Sequence, residues 1–470
     1  MIEISWTHYQ NWLQSLLLQA APPFLAPPLP EEITTNSRTV TPGSWFLPLK
    51  GEKYDGHDFI GEALSNGARG FFYRRDKQHE IPQVLLTQGV AVSDTKASLQ
   101  KIANGWRKAH PHLTVFALTG SVGKTTCKEF LAHILSANAS THYSRGNLNT
   151  EIGLPLSLLH LKEKHRFSVL EMGARHPGDI AELISIAEPD VVACLNVHPV
   201  HLASFGSLKA ILTSKLEIIA PQPRANKACI FADQEALLST AKTIRQDLIT
   251  FGTHPDAVVR LSKVTWLENG GMSLAIAYGR RTLELELELA HESYPINLTA
   301  ACALAYGAGI KGELIVSAIK GFRGIPGRYF ITKLKELTVV DDAYNANPES
   351  MAAGLRSLIK SYPQRPKIVI LGDMLEMGSA AINAHQNLGR FCQETTHPSL
   401  LITVGDLAYE IGKGAIASGL ADQRHLHYNR VEELIAANLP LKTHGEIIYV
   451  KASRGMQLDR YVSYLVAGAK

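Results

Sequence analysis

The spacing of hydrophobic and polar positions changes along the chain and divides it into three blocks. Up to about residue 95 the apolar segments are short and separated by turns. From about residue 112 near-continuous apolar runs alternate with segments of helical period, and a similar alternation starts again near Gly321. Strands of a parallel sheet covered on both faces give such runs. The pattern predicts an α/β protein with domains at residues 1–95, 96–322 and 323–470.

The first block predicts a small α/β domain. In Pro42–Lys50 a turn precedes a strand, and Asp55–Tyr73 predicts a helix that ends at Gly67 and leads into another strand. Helical spacing in Asp94–Pro111 puts the large apolar residues of that segment on one face. We expect this last helix to lead into the second domain.

The second and third blocks each predict a sheet of buried strands. Those of the central block are expected at Leu113–Gly120, Phe167–Gly173 and Val191–Val197, and those of the third block around Val339, Ile370, Ile402 and Ile448. Strict alternation over Leu283–Leu289 is typical of a half-exposed antiparallel strand. The small residues of Asn297–Ile310 predict a helix with close neighbours.

Composition and charge exclude some classes of protein. Of the 470 residues, 45% are hydrophobic and 19% are charged, as in ordinary globular proteins. The net charge of +4 is too small for the basic excess that is typical of nucleic-acid or membrane binders. The five cysteines form no CxxC pair, so we expect buried free thiols in a reducing compartment. There is no signal-peptide pattern and no apolar stretch of membrane-spanning length. We therefore expect a cytoplasmic protein with no nucleic-acid partner and no membrane insertion.

The candidate chemistry begins at a glycine-rich turn. The segment Gly120-Ser121-Val122-Gly123-Lys124-Thr125-Thr126 lies between a predicted strand and a predicted helix, which is the context of a phosphate-binding P-loop. Its glycines let successive N–H groups face an anion, and the helix N-terminus adds its positive end. Lys124 would reach the β- and γ-phosphates and Thr125 would bind Mg²⁺. Leu118 stands where the longer form of the motif has its first glycine, and the motif alone does not separate a GTPase, a motor and a ligase.

Three further residues are candidates for a metal centre. Glu171 ends a predicted strand, where it would either hold a metal near the P-loop or cap the following loop. His201 and Lys215 follow on later segments. Taken alone, these two residues are explained without a metal, His201 as a surface imidazole and Lys215 as a solvated residue on a helix.

Together these stretches resemble the Mur ligase family, which builds peptide bonds onto cell-wall precursors with ATP. The short P-loop has the family's form. The other matching stretches, in the family's order and spacing, are GNLNTEIGLP (Gly146–Pro155), EMGARHPGDI (Glu171–Ile180), HLASFGS (His201–Ser207), SKLEI, NLTAA, GRYF, DDAYNANPESM (Asp341–Met351), LGDMLEMG (Leu371–Gly378) and KASRGMQLD (Lys451–Asp459). The N-terminal stretch TTNSRTVTPGSWFLPLKGEKYDGHDFI also resembles the family's precursor-binding domain, so the resemblance covers nearly the whole chain.

The resemblance implies a fold and an activity. The fold would be the three-domain Mur ligase architecture: a small N-terminal α/β domain that binds the UDP-precursor, a central P-loop ATPase domain with a parallel sheet, and a C-terminal Rossmann-like α/β domain. The motifs at Asp341–Met351 and Leu371–Gly378 are similar to those of the branch that adds D-alanyl-D-alanine. A cytoplasmic monomer would then join D-alanyl-D-alanine to UDP-N-acetylmuramoyl-tripeptide through an acyl phosphate, using ATP, in peptidoglycan synthesis. These motifs do not tell whether the third peptide residue is diaminopimelate or lysine.

The resemblance also implies roles for individual residues. The ATP-binding set would be Gly120, Ser121, Val122, Gly123, Lys124, Thr125, Thr126, Asn297 at the adenine, Arg328 and Asp342. The Mg²⁺ ligands would be Thr125, Glu171, His201 and a carbamate formed from CO₂ on Lys215; Lys124, Lys215 and His201 would be catalytic. A carbamate is an anion that can bind Mg²⁺, whereas a bare ammonium group repels it. Ser37 and Arg38 would hold the uridine-diphosphate end, and Tyr344, Asn345 and Asn347 would help to close the site.

Some residues depart from the family's pattern. Ser293-Tyr294 replaces a His-Asn pair that is common before Asn297, and Asn36 replaces a common Asp. The sequence therefore leaves open the possibility of a variant nucleotide pocket in which Tyr294 stacks on the base.

Two other functions are also left open by the sequence: a folylpolyglutamate-type or other ATP-dependent amino-acid ligase, and a non-catalytic nucleotide-dependent regulator. For the ligase we expect closure around the substrates at hinges near residues 95–112 and 321–328.

Overall fold

The computed structural model of the protein consists of two compact units. It describes residues 2–19, 21–22, 24–199, 202–220, 227–334, 338–375, 377–439 and 445–468. Unit 1 comprises residues 1–259 and 300–311, and unit 2 comprises residues 260–299 and 312–470. The domain boundaries at residues 95 and 322 stay a prediction.

Unit 1 begins with a small parallel sheet and its helices. The elements are α1 (Trp6–Leu13), β1 (Ile33–Thr34), β2 (Trp45–Phe46), α2 (Ile60–Ser65), β3 (Gly70–Arg74), β4 (Gly89–Val92) and α3 (Thr95–Lys108). The strands pair in the order β1-β2-β3-β4, all parallel. Trp45 and Phe72 are fully buried in the core of this part. The strand predicted in Pro42–Lys50 and the helix and strand predicted in Asp55–Tyr73 are confirmed.

The rest of unit 1 is dominated by a larger parallel sheet. Its elements are β5 (Thr114–Thr119), α4 (Lys124–Ser136), β6 (Thr141–Tyr143), α5 (Gly153–Leu158), β7 (Phe167–Glu171), α6 (Asp179–Ala187), β8 (Val191–Cys194), α7 (Leu202–Phe205), α8 (Leu208–Leu216), β9 (Lys227–Phe231), α9 (Glu235–Ile244) and β10 (Leu248–Gly252). The order is β10-β9-β8-β5-β7-β6, and neighbouring strands are parallel. The three predicted strands are β5, β7 and β8, and they are buried almost throughout. Because β5 lies between β7 and β8, residues that follow these three strands meet at one edge of the sheet.

The helix α3 occupies most of the first predicted hinge. Asp94 caps its N-terminus by accepting a hydrogen bond from Ala97 N at 2.6 Å. Leu99 and Ile102 are fully buried, and Trp106 donates from Nε1 to the carbonyl of Leu161 at 3.3 Å. The helix packs against α1, α5 and α6. Bending within it would break these contacts, so the structure argues against a hinge in this helix, while the hinge near residues 321–328 stays a prediction.

Unit 2 contains an antiparallel segment and two helices ahead of its second sheet. The elements are β11 (Val259–Trp266), β12 (Met272–Tyr278), β13 (Arg281–Leu287), α10 (Tyr294–Gly307), whose residues are shared between the units, and α11 (Gly312–Ile319). β12 and β13 pair antiparallel from Met272↔Leu287 to Tyr278↔Arg281. The leucines of β13 are buried and its glutamates exposed, so the predicted half-exposed strand is confirmed. The predicted small-residue helix is α10.

The C-terminal part of unit 2 is a second α/β sheet. Its elements are β14 (Phe330–Lys333), β15 (Thr338–Asp341), α12 (Pro348–Ser361), β16 (Lys367–Gly372), α13 (Ala381–Thr396), β17 (Leu400–Val404), α14 (Ala408–Ala417), β18 (His425–Tyr428), α15 (Val431–Ala436), β19 (Ile447–Lys451) and α16 (Asp459–Gly468). The order is β14-β15-β19-β16-β17-β18, with only the β14–β15 pair antiparallel. The separate C-terminal sheet predicted from the sequence is confirmed.

Two expectations from composition can be compared with the structure. All five cysteines are free and buried, as predicted. Among the described helices, none combines the length and the apolar character that crossing a membrane requires.

Candidate active site

Two glycines shape the loop between β5 and α4. Gly123 has a φ of +81°, in the left-handed region, and directly precedes α4. A side chain at Gly120 would place its Cβ 2.9 Å from the Cβ of Leu195. Side chains disfavour the first conformation, and packing excludes one at the second position. The loop therefore needs glycine at both positions, as a P-loop would.

Lys124 is the first residue of α4 and bends back to the loop. Its Nζ donates to the carbonyl of Gly120 at 2.8 Å and to that of Ser121 at 3.4 Å. The ammonium group thus lies within hydrogen-bond distance of the loop backbone, next to the positive end of α4. A loop and helix N-terminus of this kind, with a lysine, is suited to binding a polyphosphate.

A buried carboxylate lies beside the helix N-terminus. Glu171, the last residue of β7, is only 4% exposed. Its Oε2 accepts a hydrogen bond from the Thr125 hydroxyl at 2.8 Å, and its Oε1 accepts one from Asn149 Nδ2 at 2.8 Å. Thr125 and Glu171 therefore present neighbouring oxygen atoms. Hydroxyl and carboxylate oxygens are ligands that Mg²⁺ prefers, so this pair fits the predicted ion.

The sequence interpretation gave Asn149 no role. It lies in the stretch GNLNTEIGLP, which was matched to the family only as a motif. Besides its bond to Glu171, its carbonyl accepts from Gly173 N at 2.8 Å. Asn149 therefore fixes both the carboxylate and the backbone that follows β7.

Lys215 lies near the same loop. It is on α8 and is only 3% exposed. Burial, and then the positive charge of Lys124, lower the pKa of Lys215 from 10.5 to about 8. A lysine with such a pKa is partly a neutral amine near neutral pH, which is the form that adds to CO₂.

The structure describes all but one of the predicted metal and phosphate residues of unit 1. Lys124, Thr125 and Glu171 are brought together, and Lys215 lies close enough to Lys124 for the charge of Lys124 to lower its pKa. Thr126 follows them on α4 and is buried. His201 lies outside the described residues. The roles assigned to this set stay predictions.

Ser37 and Arg38 line a cavity in unit 1. It has a volume of about 600 Å³ and is also lined by Lys50, Lys53 and Tyr54, with Ile152 from the central part. Arg38 is exposed, whereas Ser37 is buried and donates from its hydroxyl to Glu62 Oε2 at 3.1 Å. Asn36, which replaces the common Asp, accepts from Arg38 N at 3.0 Å through Oδ1. The lining contains three basic side chains and one acidic side chain, Glu52, and this excess of positive charge favours an anionic ligand.

In unit 2, Asp342 is the centre of a buried network. Its Oδ1 accepts from Tyr329 N at 3.1 Å, and its Oδ2 accepts from the Tyr449 hydroxyl at 2.9 Å. Lys451 Nζ lies 2.8 Å from the same Oδ2 and donates to the carbonyl of Asn345 at 3.1 Å. Asp342 is 6% exposed and Lys451 3% exposed. Both carboxylate oxygens of Asp342 thus accept hydrogen bonds from other groups of the protein. The contact of Asp342 with a nucleotide stays a prediction.

The other predicted residues of unit 2 surround this network. The guanidinium carbon of Arg328 lies 4.3 Å from the centre of the Tyr344 ring, which is a cation–π contact. The Asn345 carbonyl is held by Lys451, as described above. Asn347 caps α12, since its Oδ1 accepts from Ser350 N at 2.8 Å. The structure thus places Arg328, Asp342, Asn345 and Asn347 in one region of unit 2.

The segment that departs from the family's pattern lies at the start of α10. Tyr294 is 1% exposed, and its hydroxyl donates to the carbonyl of Arg328 at 3.1 Å. Burial is the largest cause that raises the pKa of its hydroxyl. A ring covered in this way leaves no face for a base, so the structure argues against Tyr294 as a stacking partner of adenine. Asn297, one turn later, is 6% exposed and donates from Nδ2 to the carbonyl of Ser293 at 2.8 Å.

Models of known protein families match three stretches of the chain. Residues 31–107 match the Mur ligase family catalytic domain, residues 118–305 the Mur ligase middle domain, and residues 327–454 the Mur ligase glutamate ligase domain. Among sequence relatives, the UDP-N-acetylmuramoyl-tripeptide–D-alanyl-D-alanine ligase of Escherichia coli strain K12 is 30% identical over 93% of both chains. The enzyme of the same name from Synechocystis is 33% identical over 93% of this chain and 92% of its own.

Solved structures agree with the sequence relatives. A crystal structure of MurF from Acinetobacter baumannii superposes with a TM-score of 0.86, at 28% identity over 98% of both chains. MurF ligase from Thermotoga maritima, in complex with ADP, superposes with a TM-score of 0.77 at 28% identity, over 92% of this chain and 96% of its own.

The fold, the P-loop with its buried carboxylate and these matches define a class of enzyme: the chain belongs to the Mur ligase family. The family and the three-domain α/β architecture predicted from the sequence are confirmed, as is an ATP-dependent ligase. Within the family, both relatives named above are UDP-N-acetylmuramoyl-tripeptide–D-alanyl-D-alanine ligases.

Proposed function

We propose that this protein is an ATP-dependent ligase that joins D-alanyl-D-alanine to UDP-N-acetylmuramoyl-tripeptide in cytoplasmic peptidoglycan precursor synthesis. The observation that carries the proposal is the Thr125–Glu171 pair at the P-loop, in a chain that is similar over 93% of its length to a ligase of this name. The branch of the relatives is also the branch indicated by the motifs at Asp341–Met351 and Leu371–Gly378.

The proposed chemistry activates a carboxylate. A carboxylate is a poor acyl donor, since oxide would have to leave. A terminal carboxylate oxygen of the tripeptide attacks the γ-phosphorus of ATP, the bond to the bridging oxygen breaks, and ADP leaves. The amine of D-alanyl-D-alanine then attacks the carbonyl carbon of this acyl phosphate. Inorganic phosphate departs, the nitrogen loses a proton, and the new amide bond remains.

The first step brings two anions together. Their repulsion is about 4 kcal/mol at a separation of about 4 Å and an effective dielectric constant of about 20. Lys124, the loop N–H groups and the N-terminus of α4 offset this repulsion and orient the γ-phosphate. These cationic and dipolar groups explain why a protein that joins two peptides needs a P-loop.

For Mg²⁺ we propose four ligands: Thr125, Glu171, His201 and a carbamate on Lys215. The buried oxygen pair of Thr125 and Glu171 supports the first two, and the lowered pKa of Lys215 supports a reaction of its neutral amine with CO₂. His201, outside the described residues, enters by the resemblance alone. When bound, the ion would neutralise charge on the phosphates. The protein's own part is to hold Glu171 in place through Asn149.

The substrates are assigned to the cavity and to unit 2. We propose that Ser37 and Arg38 bind the uridine-diphosphate end, because basic side chains outnumber acidic ones in the lining of their cavity. We propose Asn297 and Arg328, with Asp342, for ATP, and Asn345 and Asn347 for the second substrate. The network around Lys451 supports the assignments of Asp342 and Asn345, because it holds the carboxylate of the first and the backbone carbonyl of the second. We propose that the protein acts as a monomer.

Two alternative functions are less well supported. Folylpolyglutamate synthase from Mycobacterium tuberculosis shares the fold alone, at 14% identity. A non-catalytic regulator would have no need to keep Lys124, Thr125, Glu171 and Lys215 together. Incubation with ATP, Mg²⁺ and either UDP-muramoyl-tripeptide plus D-alanyl-D-alanine or a folate plus glutamate separates these cases by mass spectrometry. We expect only the UDP-pentapeptide, and a glutamylated folate or no product at all would overturn the proposal.

A further inference from the structure

Residues 196–198, which follow β8 and Leu195, are each held by a pair of hydrogen bonds. Asn196 Oδ1 accepts from Val122 N at 2.9 Å, and Asn196 Nδ2 donates to the carbonyl of Val122 at 3.0 Å. Asn196 is 8% exposed, so its amide is a buried group whose two ends both find partners. One loop residue is thereby held through both its N–H and its C=O.

The next two residues are bonded in the same reciprocal way. His198 N donates to Ser121 Oγ at 2.8 Å, and that hydroxyl donates to the carbonyl of His198 at 3.1 Å. Val197 N donates to Gln234 Oε1 at 2.9 Å, and Gln234 Nε2 donates to the carbonyl of Val197 at 3.2 Å. The segment 196–198 is therefore fixed on one side to the P-loop and on the other to Gln234, which directly precedes α9.

These bonds affect how the loop can meet a phosphate. Asn196 uses two N–H groups of the loop, since Val122 N donates to its side chain and Ser121 N donates to its carbonyl at 3.1 Å. The phosphates must therefore be met by the remaining N–H groups of the loop and of the start of α4. The orientation of the Val122 peptide also limits the orientations of the peptides next to it. A loop that is already held in one conformation loses less entropy when a ligand that fits this conformation binds.

We infer that Asn196 is a positioning residue that pre-organises the P-loop for the phosphates of ATP, and that Gln234 supports it through Val197. The inference rests on the proposed function only in taking ATP as the ligand. It assigns Asn196 no contact with ATP. The effect should therefore appear in the binding of nucleotide and not in the binding of the other two substrates.

The test uses Asn196→Ala, Asn196→Asp and Gln234→Ala. In Asn196→Ala we expect the KM for ATP and the Kd for ADP to rise about tenfold, because two hydrogen bonds to the loop are lost. Asn196→Asp should bind more weakly still, because it loses the donor and adds a negative charge near the phosphates. Gln234 contacts Val197 and not the loop itself, so Gln234→Ala should raise the KM for ATP and the Kd for ADP by only about threefold, as expected for one supporting contact. The KM values for UDP-muramoyl-tripeptide and for D-alanyl-D-alanine should stay at the wild-type level.

Asn138→Ala is the matched control. Asn138 lies just beyond the far end of α4, where its Nδ2 donates to the carbonyl of Ile134 at 2.7 Å. It should leave the Kd for ADP unchanged. Wild-type ADP affinity in folded Asn196→Ala, or equal rises in all three KM values, would overturn the inference. If Asn196→Ala does not fold, Gln234→Ala decides by the same criteria. A wild-type protein that binds ADP but forms no amide would refute the proposed function, while the ADP titrations would still decide this inference.

Discussion

The hydroxyl of Thr125 donates a hydrogen bond to Oε2 of Glu171 at 2.8 Å. The first residue lies on the helix that follows β5 and the second at the end of the neighbouring strand β7. The parallel pairing of the two strands brings them together. Because Glu171 is 4% exposed, its negative charge faces this corner and not bulk solvent. The site therefore contains a fixed anion next to a loop that is built to bind anions, which is explained if a divalent cation binds between them.

Removing the charge of Glu171 should abolish most activity without unfolding the protein. Glu171→Gln keeps an oxygen that can accept from Thr125, but it loses the charge that would hold Mg²⁺. We expect kcat to fall by at least about a hundredfold, which corresponds to several kcal/mol of lost charge stabilisation. Steady-state phosphate release at saturating substrates measures it. Glu235→Gln, at an exposed position, is the control and should behave like wild type. A Glu171→Gln protein with more than a tenth of wild-type kcat would contradict the role.

Arg38 should affect the precursor and not ATP. Arg38→Ala removes a guanidinium group from the cavity that we assign to the uridine-diphosphate end. We expect the KM for the precursor to rise about tenfold or more, as for the loss of a charge-assisted hydrogen bond, with the KM for ATP unchanged. Arg75→Ala, in the same part of unit 1 but outside the cavity lining, should change neither value. Equal KM values for the precursor in Arg38→Ala and wild type would refute the assignment of the cavity.

The buried pair of Asp342 and Lys451 should matter for stability. Lys451→Met leaves the carboxylate of Asp342 buried without its cation, and we expect the free energy of unfolding to fall by about 3 kcal/mol. Chemical denaturation monitored by circular dichroism measures this loss. Arg454→Met removes a cation from an exposed ion pair with Asp459 and should cost less than about 1 kcal/mol. The double variant Asp342→Asn/Lys451→Met should recover part of the loss. Similar stabilities for Lys451→Met and Arg454→Met would contradict the network.

His142 should make unit 1 sensitive to acid. Burial, and next the charge of His165, lower the pKa of His142 from 6.5 to about 3. Its ring bonds to Ser168 Oγ at 2.9 Å and to Ser157 Oγ at 3.4 Å, and His160 and Arg145 also disfavour its protonation. Between the two pKa values the unfolded chain binds the proton that the folded chain excludes. Stability from this group is therefore complete above about pH 6.5 and is lost as the pH falls towards 3.

The effect of His142 can be isolated with His142→Gln. Between pH 7 and pH 5, the free energy of unfolding of the wild type should fall by about 2 kcal/mol more than that of the variant. Chemical denaturation at the two pH values gives both numbers. His79→Gln, whose side chain is 77% exposed, should keep the wild-type pH dependence. If His142→Gln loses as much stability on acidification as the wild type does, His142 is protonated at an ordinary pKa in the folded protein.

Periodicity and motifs predicted the framework of the site but not the contacts that hold it. The runs that became β5, β7 and β8 are apolar because both faces of their sheet are covered, and this leaves a clear signal. The glycines of the P-loop are equally readable, since Gly123 needs a positive φ. Asn149 and Asn196 gave no such signal. Each bonds to a partner many positions away, and a lone asparagine is as common in loops as in buried networks.

The differences in unit 2 and at α3 have the same origin. The sequence left open that Tyr294 stacks on a base, and the structure argues against this because the ring is buried. Which residues cover a ring cannot be identified from its position in the sequence. The contact of Asp342 with the nucleotide stays a prediction, but the sequence did not show that Tyr449 and Lys451, on the strand β19 that pairs with β15, bind its carboxylate. The helix over residues 95–108 was predicted correctly, while its use as a hinge depended on neighbours that only the fold supplies.

The central claim is that the γ-phosphate of ATP is used to activate the carboxylate of the tripeptide for attack by an amine. Phosphate release from ATP, measured with UDP-muramoyl-tripeptide in the presence and absence of D-alanyl-D-alanine, tests it most directly. We expect steady release only when all three substrates are present, with one amide formed for each phosphate released. Steady release from ATP alone, at the rate seen with both other substrates, would contradict the claim and make the protein a simple nucleoside triphosphatase.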